Sequence, residues 1–359
     1  MILESIKLKQ FKNHSDFFGQ WLSGFNFIVG PNGVGKTNLL DAIYFSSMLK
    51  SYFQNSEKQM IQNEKDFYRI DAKFLENGQN YQFEAKSASN LRESKWEGSV
   101  IERSTDHIGR IPIIFISPDD IFYFFQESEE RRKFLNQTII QIDPIYMDHL
   151  MKYSKALKLR NALMKIFNPA LDQSSLLDSY DNYLIESGSY ISKKRAEICN
   201  LLDPIIIQFM AEISGGMQES TIEYKSQVDQ NFGDLLLKNR TRDIFTQRTS
   251  VGVHKDQIEA RLGKVSLREF GSQGQQKSFV LALRLAQYKL ISSIRKKSPI
   301  VLLDDVFAKL DESRVNNLLA LLEQEKVEQC FITDTHLERV EKLKSQLSST
   351  SSIINLNIT

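Results

Sequence analysis

The chain has 359 residues, a formal net charge of +1, 41% hydrophobic and 25% charged residues. Such a balance allows one large or two smaller globular domains with ample core, and it excludes a globally basic protein, so any nucleic-acid surface must be a local patch. Two distant cysteines, Cys199 and Cys330, exclude a disulfide framework or cysteine-ligated zinc. With no apolar run near the roughly 18 residues of a membrane helix, and no signal-peptide pattern in Met1-Ile2-Leu3-Glu4-Ser5-Ile6, the expected compartment is the cytosol.

Residues 1–29 alternate as strands do, through Ile2, Ile6, Leu8 and Phe11, with Lys7, Lys9 and Lys12 decorating the opening. The apolar run Phe25-Asn26-Phe27-Ile28-Val29 then enters Gly30-Pro31-Asn32-Gly33-Val34-Gly35-Lys36-Thr37, a full match to G-x-x-x-x-G-K-[S/T]. A helix from Thr37 to Leu49 follows, with Leu40, Ile43 and Tyr44 on one face. Strand, glycine loop and helix are what phosphate binding needs: backbone N–H groups curl around the anion and the helix N-terminus adds positive potential. Lys36 would reach the β- and γ-phosphates of ATP, and the Thr37 hydroxyl would ligate Mg²⁺.

Further on, Phe67–Lys73 and Asn80–Ala85 read as a hairpin across Glu76-Asn77-Gly78, with Ser94–Val100 adding a strand. Together they predict an antiparallel patch on a nucleotide-binding core. Ile111-Pro112-Ile113-Ile114-Phe115-Ile116 is a buried strand, after which Ser117 or Asp119 caps a helix. Glu129-Glu130-Arg131-Arg132-Lys133 opens another, acids before bases.

From Asp143 to about Gly216 the character turns helical. Leu150, Leu157 and Met164 hold helical spacing within a basic segment of Lys152, Lys155, Lys158, Arg160 and Lys165, ending at Asn168-Pro169. A longer pattern follows through Leu177, Tyr180, Leu184, Ile191 and Ile198, carrying Lys193-Lys194-Arg195, with a break expected at Asp203-Pro204 and a stop at Gly215-Gly216. Out and back with a turn between is a helical arm whose first leg reaches roughly 35 Å. Its bases suit either a DNA backbone or the ordinary wet face of a helix. The expected organisation is an α/β head of residues 1–125 and 220–359 with an inserted arm of residues 126–219. Within the returning head, Thr221–Tyr224 and Gln257–Leu262 read as strands and Asp234–Arg248 as a basic helix. Asn316–Leu322 is an amphipathic helix, Cys330–Thr333 a core strand, and Ile353–Ile358 a closing strand after a serine-rich link.

Hydrolysis needs acids, and Pro299-Ile300-Val301-Leu302-Leu303-Asp304-Asp305 supplies them at a buried strand end. Asp304 would hold the Mg²⁺ shell and Asp305 would polarise the attacking water, with Lys36 completing the catalytic set. Ala308-Lys309-Leu310-Asp311 follows at once. Upstream, Gly271-Ser272-Gln273-Gly274-Gln275-Gln276-Lys277 precedes a helix over Ser278–Ile294, a second place for an anion. Two such places make sense if the second caps the γ-phosphate held by another copy, giving a two-fold dimer with two sandwiched ATPs.

At this point the chain resembles the ATP-binding-cassette ATPases of the SMC type, and within them the bacterial recombination mediators. Leu8-Lys9-Gln10-Phe11-Lys12-Asn13-His14 is similar to that family's L-x-N-F-R-N-Y, and Asn32 to Ala42 to its N-G-x-G-K-T-N-L-L-E-A. Phe115-Ile116-Ser117-Pro118-Asp119-Asp120 and Arg131-Arg132-Lys133-Phe134-Leu135 resemble F-x-P-E-D and R-R-x-F-L, and Ser272-Gln273-Gly274-Gln275-Gln276 resembles its cassette signature. Three departures stand in the family's V-G-P-H-R-D-D stretch, where this chain has Val253, Lys255 and Gln257; a glycine and proline before Arg131-Arg132 are also missing. These spare the nucleotide site and fall in loops the resemblance would turn toward DNA. It implies an ABC-type head with a mixed sheet and a short helical arm. Ser272, Gly274, Gln275, Asn38 and Asp311 join the nucleotide-contacting set, and His336 is a candidate switch residue sensing the γ-phosphate. It further implies a cytosolic, ATP-induced homodimer that binds gapped and single-strand/double-strand junction DNA and works with a RecR-type partner. Recombinase loading, SOS induction and slow, DNA-stimulated hydrolysis complete that expectation.

Two other classes compete. A transporter nucleotide-binding subunit would lack the helical insertion and carry two adjacent glycines in its signature, where Gln273 stands here. A structural clamp would bind ATP without turning it over, a reading that the short carboxylate of Asp305 keeps open. A GTPase would need a guanine-reading Asn-Lys-x-Asp, which is not present.

Overall fold

The computed structural model describes residues 1–54, 56–88, 91–168, 174–214, 216 and 220–356. Alternation governs its opening. Strand β1 (Ile2–Phe11) buries Leu3, Ile6, Leu8 and Phe11 and pairs antiparallel with β2 (His14–Gln20). After β3 (Gly24–Val29) and helix α1 (Lys36–Met48), β4 (Phe67–Glu76) and β5 (Gln79–Ala88) form the expected hairpin. Asn77 and Gly78 hold φ of 51° and 77°, as a two-residue hairpin turn twisted with its strands requires. The single strand expected over 94–100 is instead a second hairpin, β6 (Leu91–Trp96) and β7 (Ser99–Val100), because Glu97-Gly98 turns the same way. The antiparallel sheet runs β2-β1-β4-β5-β6-β7. Then comes β8 (Ile113–Ile116), wholly buried, and α2 (Pro118–Gln126). Ser117 is the cap there: Asp120 N donates to its hydroxyl while Ser117 N donates to the Asp120 carboxylate.

The chain groups into two compact units, one of Met1–Tyr123, Gln208–Met217 and Gln273–Thr359, the other of Phe124–Ile207 and Gln218–Ser272. Residues 220–272, expected with the head, group with the helices, and 208–217, expected with the arm, group with the head. The second unit begins with the end of α2 and with α3 (Ser128–Ile139), α4 (Pro144–Lys165) and most of α5 (Ser174–Ser214). The break expected at Asp203-Pro204 does not occur; α5 runs through Pro204. Asn200, whose carbonyl loses its helical partner, is exposed to water, which offsets the missing bond. Pro169, Gly215 and residues 357–358, on which other expected boundaries fell, lie outside the described residues, as do the side chains of Ala308 and Lys309.

The buried face of α4 also differs from the expected one. Leu150 and Leu157 are half-buried, while Tyr146, Tyr153, Ala156, Arg160, Leu163 and Met164 point inward. Polar side chains decide this, because Tyr146, Tyr153 and Arg160 each find a partner inside. Tyr146 donates to Asn136 at 2.6 Å, Tyr153 meets His254 Nδ1 at 2.8 Å, and Arg160 bridges Asp181 and Asp243 at 2.6 and 2.9 Å. On α5, Leu177, Leu184, Ile191 and Ile198 of the expected stripe are buried, while Tyr180 is half-buried. Beside it, Arg195 is buried, donating to Asp256 at 2.5 Å and to the Val253 carbonyl at 2.8 Å. Two bases of the arm, Arg160 and Arg195, are therefore internal struts rather than solvent-facing charge. Strand β9 (Ser220–Lys225), α6 (Phe232–Thr246), β10 (Gln257–Leu262), β11 (Val265–Ser266) and the short α7 (Leu267–Phe270) complete this unit, with a sheet ordered β11-β10-β9. The struts explain why 218–272 belongs here: Asp243, Thr249, Val253 and Asp256 all answer arginines of α4 and α5.

The first unit resumes with α8 (Gln273–Arg295), β12 (Ile300–Leu303), α9 (Glu312–Gln324), β13 (Gln329–Asp334), α10 (Leu337–Gln346) and β14 (Ser351–Asn355). Its parallel sheet runs β14-β3-β13-β12-β8. All four residues of β8 and β12, each an unbroken apolar run, and all six of β13 are buried, as in strands covered on both faces. That order places the ends of β3 and β12 on either side of β13 at one edge of the sheet, where open α/β sheets bind ligands.

Candidate nucleotide and metal site

The loop from Gly30 to Gly35 leaves β3 at this carboxyl edge and turns directly into α1. Gly35 holds φ of 109°, and a Cβ there would lie 2.6–2.7 Å from Asn13 and His14, so only glycine fits. A Cβ at Gly30 would lie 2.4 Å from the Leu356 carbonyl. The β1–β2 turn braces the loop from outside. Asn13 Nδ2 donates to the Gly33 carbonyl at 3.1 Å, Asn38 Nδ2 donates to Asn13 Oδ1 at 2.7 Å, and His14 Nε2 donates to the Gly35 carbonyl at 3.0 Å. Burial pushes the His14 imidazole down, so it stays a neutral donor in this brace. Lys36 Nζ curls over the loop to the carbonyls of Gly30 and Pro31, at 2.7 and 3.0 Å. Beside the loop lies a cavity of ≈ 580 Å³ lined in part by Asn13, Asn32, Gly33, Val34 and Asn355.

The second half of the site comes from β12. Thr37 Oγ1 lies 3.0 and 2.9 Å from the two carboxylate oxygens of Asp304, 267 residues away in sequence. Thr333, at the end of the intervening strand β13, donates to Asp304 Oδ1 at 2.8 Å and accepts from Asp305 N at 2.8 Å. This threonine thereby aims both acids. Burial pushes the Asp304 carboxyl up, opposed by the Thr333 and Thr37 hydrogen bonds. Burial likewise pushes the Lys36 ammonium down, opposed by Asp305, Asp304 and Asp334. Asp305 sits in the left-handed region at φ 48°, a conformation that side chains other than Gly, Asn and Asp rarely adopt.

These residues fit a magnesium-bound polyphosphate. Mg²⁺ is usually held by one or two protein oxygens plus waters and substrate phosphates rather than an all-protein cage. The Thr37 hydroxyl beside a buried Asp304 carboxylate is such a pair, and the glycine loop offers its N–H groups to phosphate.

The remaining expected residues are spread along the same unit's later elements and its border. Helix α8 begins at Gln273, five residues earlier than expected, so Gly274 and Gln275 lie in its first turn and Ser272 directly precedes it. The Asp311 carboxylate caps α9, accepting from Arg314 N at 3.0 Å and Ser313 Oγ at 2.6 Å, and the Ser313 hydroxyl and Arg314 hold it well below the usual carboxylate range. His336 directly precedes α10, its backbone N–H donating to buried Asp334 at 2.8 Å, while Arg339 grips the same carboxylate at 2.8 and 2.7 Å. Lys12 pairs with buried Asp41 at 2.5 Å, so it is a strut behind the loop. Sequence reasoning missed Thr333, Asn13 and His14 as supports; a strand-end threonine carries no motif, whereas Asn13-His14 stood within a recognised one.

The family model of the RecF/RecN/SMC N terminal domain matches residues 2–353. The DNA replication and repair protein RecF of Flavobacterium johnsoniae is 36% identical over 99% of this chain and 100% of its own length. That of Cytophaga hutchinsonii is 35% identical over 94% and 90%. A solved structure described as the recombination mediator protein RecF-ATPrS in the RecFOR pathway matches with a TM-score of 0.87 at 26% identity, covering 98% of this chain and 96% of that one. The Smc head domain of Pyrococcus furiosus shares the fold, with a TM-score of 0.56 at 18% identity over 99% and 94%. Sheet order, phosphate loop and full-length similarity agree: the chain has an ABC-type ATPase fold and belongs to the RecF family of DNA replication and repair proteins.

Proposed function

We propose that this chain is an ATP- and DNA-binding protein of recombinational repair and replication restart. The observation that carries the reading is the meeting of Thr37 with Asp304 at 3.0 and 2.9 Å beside a phosphate loop closed by Lys36. Lys36 would leave the carbonyls of Gly30 and Pro31 for the β- and γ-phosphates, and Thr37 with Asp304 would hold Mg²⁺. The metal, when bound, neutralises charge developing on the phosphates. Asp305, with its backbone fixed by Thr333, would orient the attacking water, and hydrolysis would be slow and stimulated by DNA. The cavity beside Asn13 and Asn32 has room for the nucleoside. Ser272, Gly274 and Gln275 at the start of α8 would meet the nucleotide of a second copy, Asp311 would join the nucleotide-binding set, and His336 would sense the γ-phosphate.

In this reading ATP joins two copies in a homodimer and ADP releases them. The dimer recognises gapped and single-strand/double-strand junction DNA in the cytosol, works with a RecR-type mediator to help load recombinase, and contributes to SOS induction. Exposed Lys152, Lys155 and Lys158 on α4 are the proposed backbone contacts. The test is binding to a gapped duplex across a salt series, with ATP or ADP, for wild type, Lys36→Ala and Lys152, Lys155 and Lys158 together changed to Glu. ATP-dependent binding lost in Lys36→Ala, and a shallower salt slope in the triple variant, support the proposal. Equal binding with and without nucleotide contradicts it.

A further inference from the structure

The second unit contains a cavity of ≈ 440 Å³ framed by the start of α3, by β10 and by α7. None of its lining residues belongs to the nucleotide site. Its volume is in the range of small-molecule sites. Two sequence motifs that nucleotide binding leaves unused converge on it, Arg131-Arg132 and His254-Lys255-Asp256.

Arg131 forms the floor. It is only 8% exposed, and its Nη1 donates to the carbonyls of Phe124 and Phe125 at 2.7 and 3.4 Å. Its Nε is buried and has no hydrogen-bond partner among the described residues. A buried donor on a cationic fork is costly without an acceptor, and the fork's shape matches phosphate or carboxylate oxygens. Above it stand Arg132, half-buried and donating to the Asp256 carbonyl at 3.0 Å, and the exposed Lys255 and Arg268. The facing carboxylates do not neutralise this group. Asp256 is held by Arg195 at 2.5 Å and Glu259 by Arg261 at 2.8 Å, so these acids, with Glu129 beside Arg132 and Glu269 on the lining, only partly offset four cations. Burial, with Arg268 and Arg132 adding repulsion, pushes the Arg131 guanidinium below its ordinary value, a penalty that an anion would relieve. Apolar wall is present as well, at Phe124, Phe125 and Ile258.

We propose that this cavity is a second anion site, taking the dianionic phosphate of a phosphomonoester of mononucleotide size, with Arg131 at its floor and Arg132, Lys255 and Arg268 above. A recess with a floor admits a terminal phosphate rather than a continuous backbone, and a dianion suits four cations better than a single carboxylate does. Two sources share this chemistry: a free mononucleotide and the 5′-phosphate end of a nucleic-acid strand.

The test uses full-length protein carrying Lys36→Ala, which silences the phosphate loop, so its outcome is independent of the nucleotide reading above. Calorimetric titrations are run with AMP, with a 5′-phosphorylated trinucleotide and with the same trinucleotide bearing a 5′-hydroxyl. The phosphorylated probes are expected to bind at least about tenfold more tightly than the hydroxyl probe. Adding Arg268→Ala or Arg131→Lys should weaken them about tenfold, the first without change in melting temperature because Arg268 is exposed. Tighter binding of the trinucleotide assigns the site to strand ends; equal or tighter binding of AMP assigns it to free nucleotide. Equal affinity for the phosphorylated and hydroxyl probes, or unchanged affinity in Arg268→Ala, overturns the proposal.

Discussion

Arg160→Met tests whether the basic stretch of α4 is one charged face or two functionally distinct sets. Arg160 is fully buried; its Nε reaches Asp181 at 2.6 Å, and its Nη1 reaches Asp243 at 2.9 Å and Thr249 at 2.8 Å. Methionine fills similar space but strands the acids unequally. Asp181 keeps Arg240 at 2.6 Å, whereas Asp243, fully buried, keeps only neutral donors from Ser250. Breaking a buried pair by removing one partner costs about 3–5 kcal/mol, and most of it should fall on Asp243. With an unfolding slope of about 2 kcal/mol/M, the urea midpoint of this unit should drop by about 2 M. Far-UV circular dichroism follows the helices of both units, while Trp21 and Trp96, the chain's two tryptophans, both lie in the other unit, so a dichroism transition without a matching change in tryptophan fluorescence belongs to this unit. Combining Arg160→Met with Asp243→Asn should recover at least half of the loss, because the stranded charge is gone. A loss below about 1 kcal/mol, or no recovery in the double variant, would make Arg160 part of the ordinary wet face rather than a buried strut. By contrast, Lys152, Lys155 and Lys158 are exposed, and their replacement should move stability by no more than about 0.5 kcal/mol each.

Two further outcomes follow from buried polar groups. Burial pushes the His107 imidazole down to about 4, against one hydrogen bond from its Nε2 to the Ser46 carbonyl at 2.7 Å. Its folded value lies below its ordinary one, so its contribution is full above pH 6.5 and is lost as pH falls through about 4, a change of about 3 kcal/mol. His107→Gln should flatten the stability profile between those values in denaturant titrations; an unchanged profile contradicts the assignment. Thr333→Val keeps the shape of the side chain but removes the bonds that aim Asp304 and Asp305, so Mg²⁺-dependent nucleotide affinity should fall about tenfold or more, read by fluorescence titration with and without magnesium. Undiminished affinity would make Thr333 a packing residue only.

The phosphate loop was legible because its chemistry is local: eight consecutive residues fix the glycines, the lysine and the threonine, and the flanking strand and helix are continuous with them. Asp304 and Asp305 were legible for a similar reason, as acids ending an unbroken apolar run. Thr333 was not, since its role exists only once the parallel sheet sets β13 between β3 and β12. The arm shows the opposite failure. Arg160 and Arg195 sit among lysines at helical spacing and read as wet face, and only the acids brought from residues 181, 243 and 256 reveal them as buried struts. Pro204 misled through a local rule that an exposed carbonyl one turn back offset. The Glu97-Gly98 turn, in contrast, was available in the sequence and carries the same left-handed geometry as Asn77-Gly78.

In the proposed dimer the phosphate loop of one copy and the start of α8 in another share a nucleotide. Sedimentation of the full chain without nucleotide, with ADP and with ATP, each with and without gapped duplex, addresses it directly, with Ser272→Arg run in parallel. A dimer is expected only with ATP, strengthened by DNA and absent in Ser272→Arg while that variant still binds ATP. A monomer in every condition, or a dimer indifferent to nucleotide and to Ser272→Arg, would contradict it.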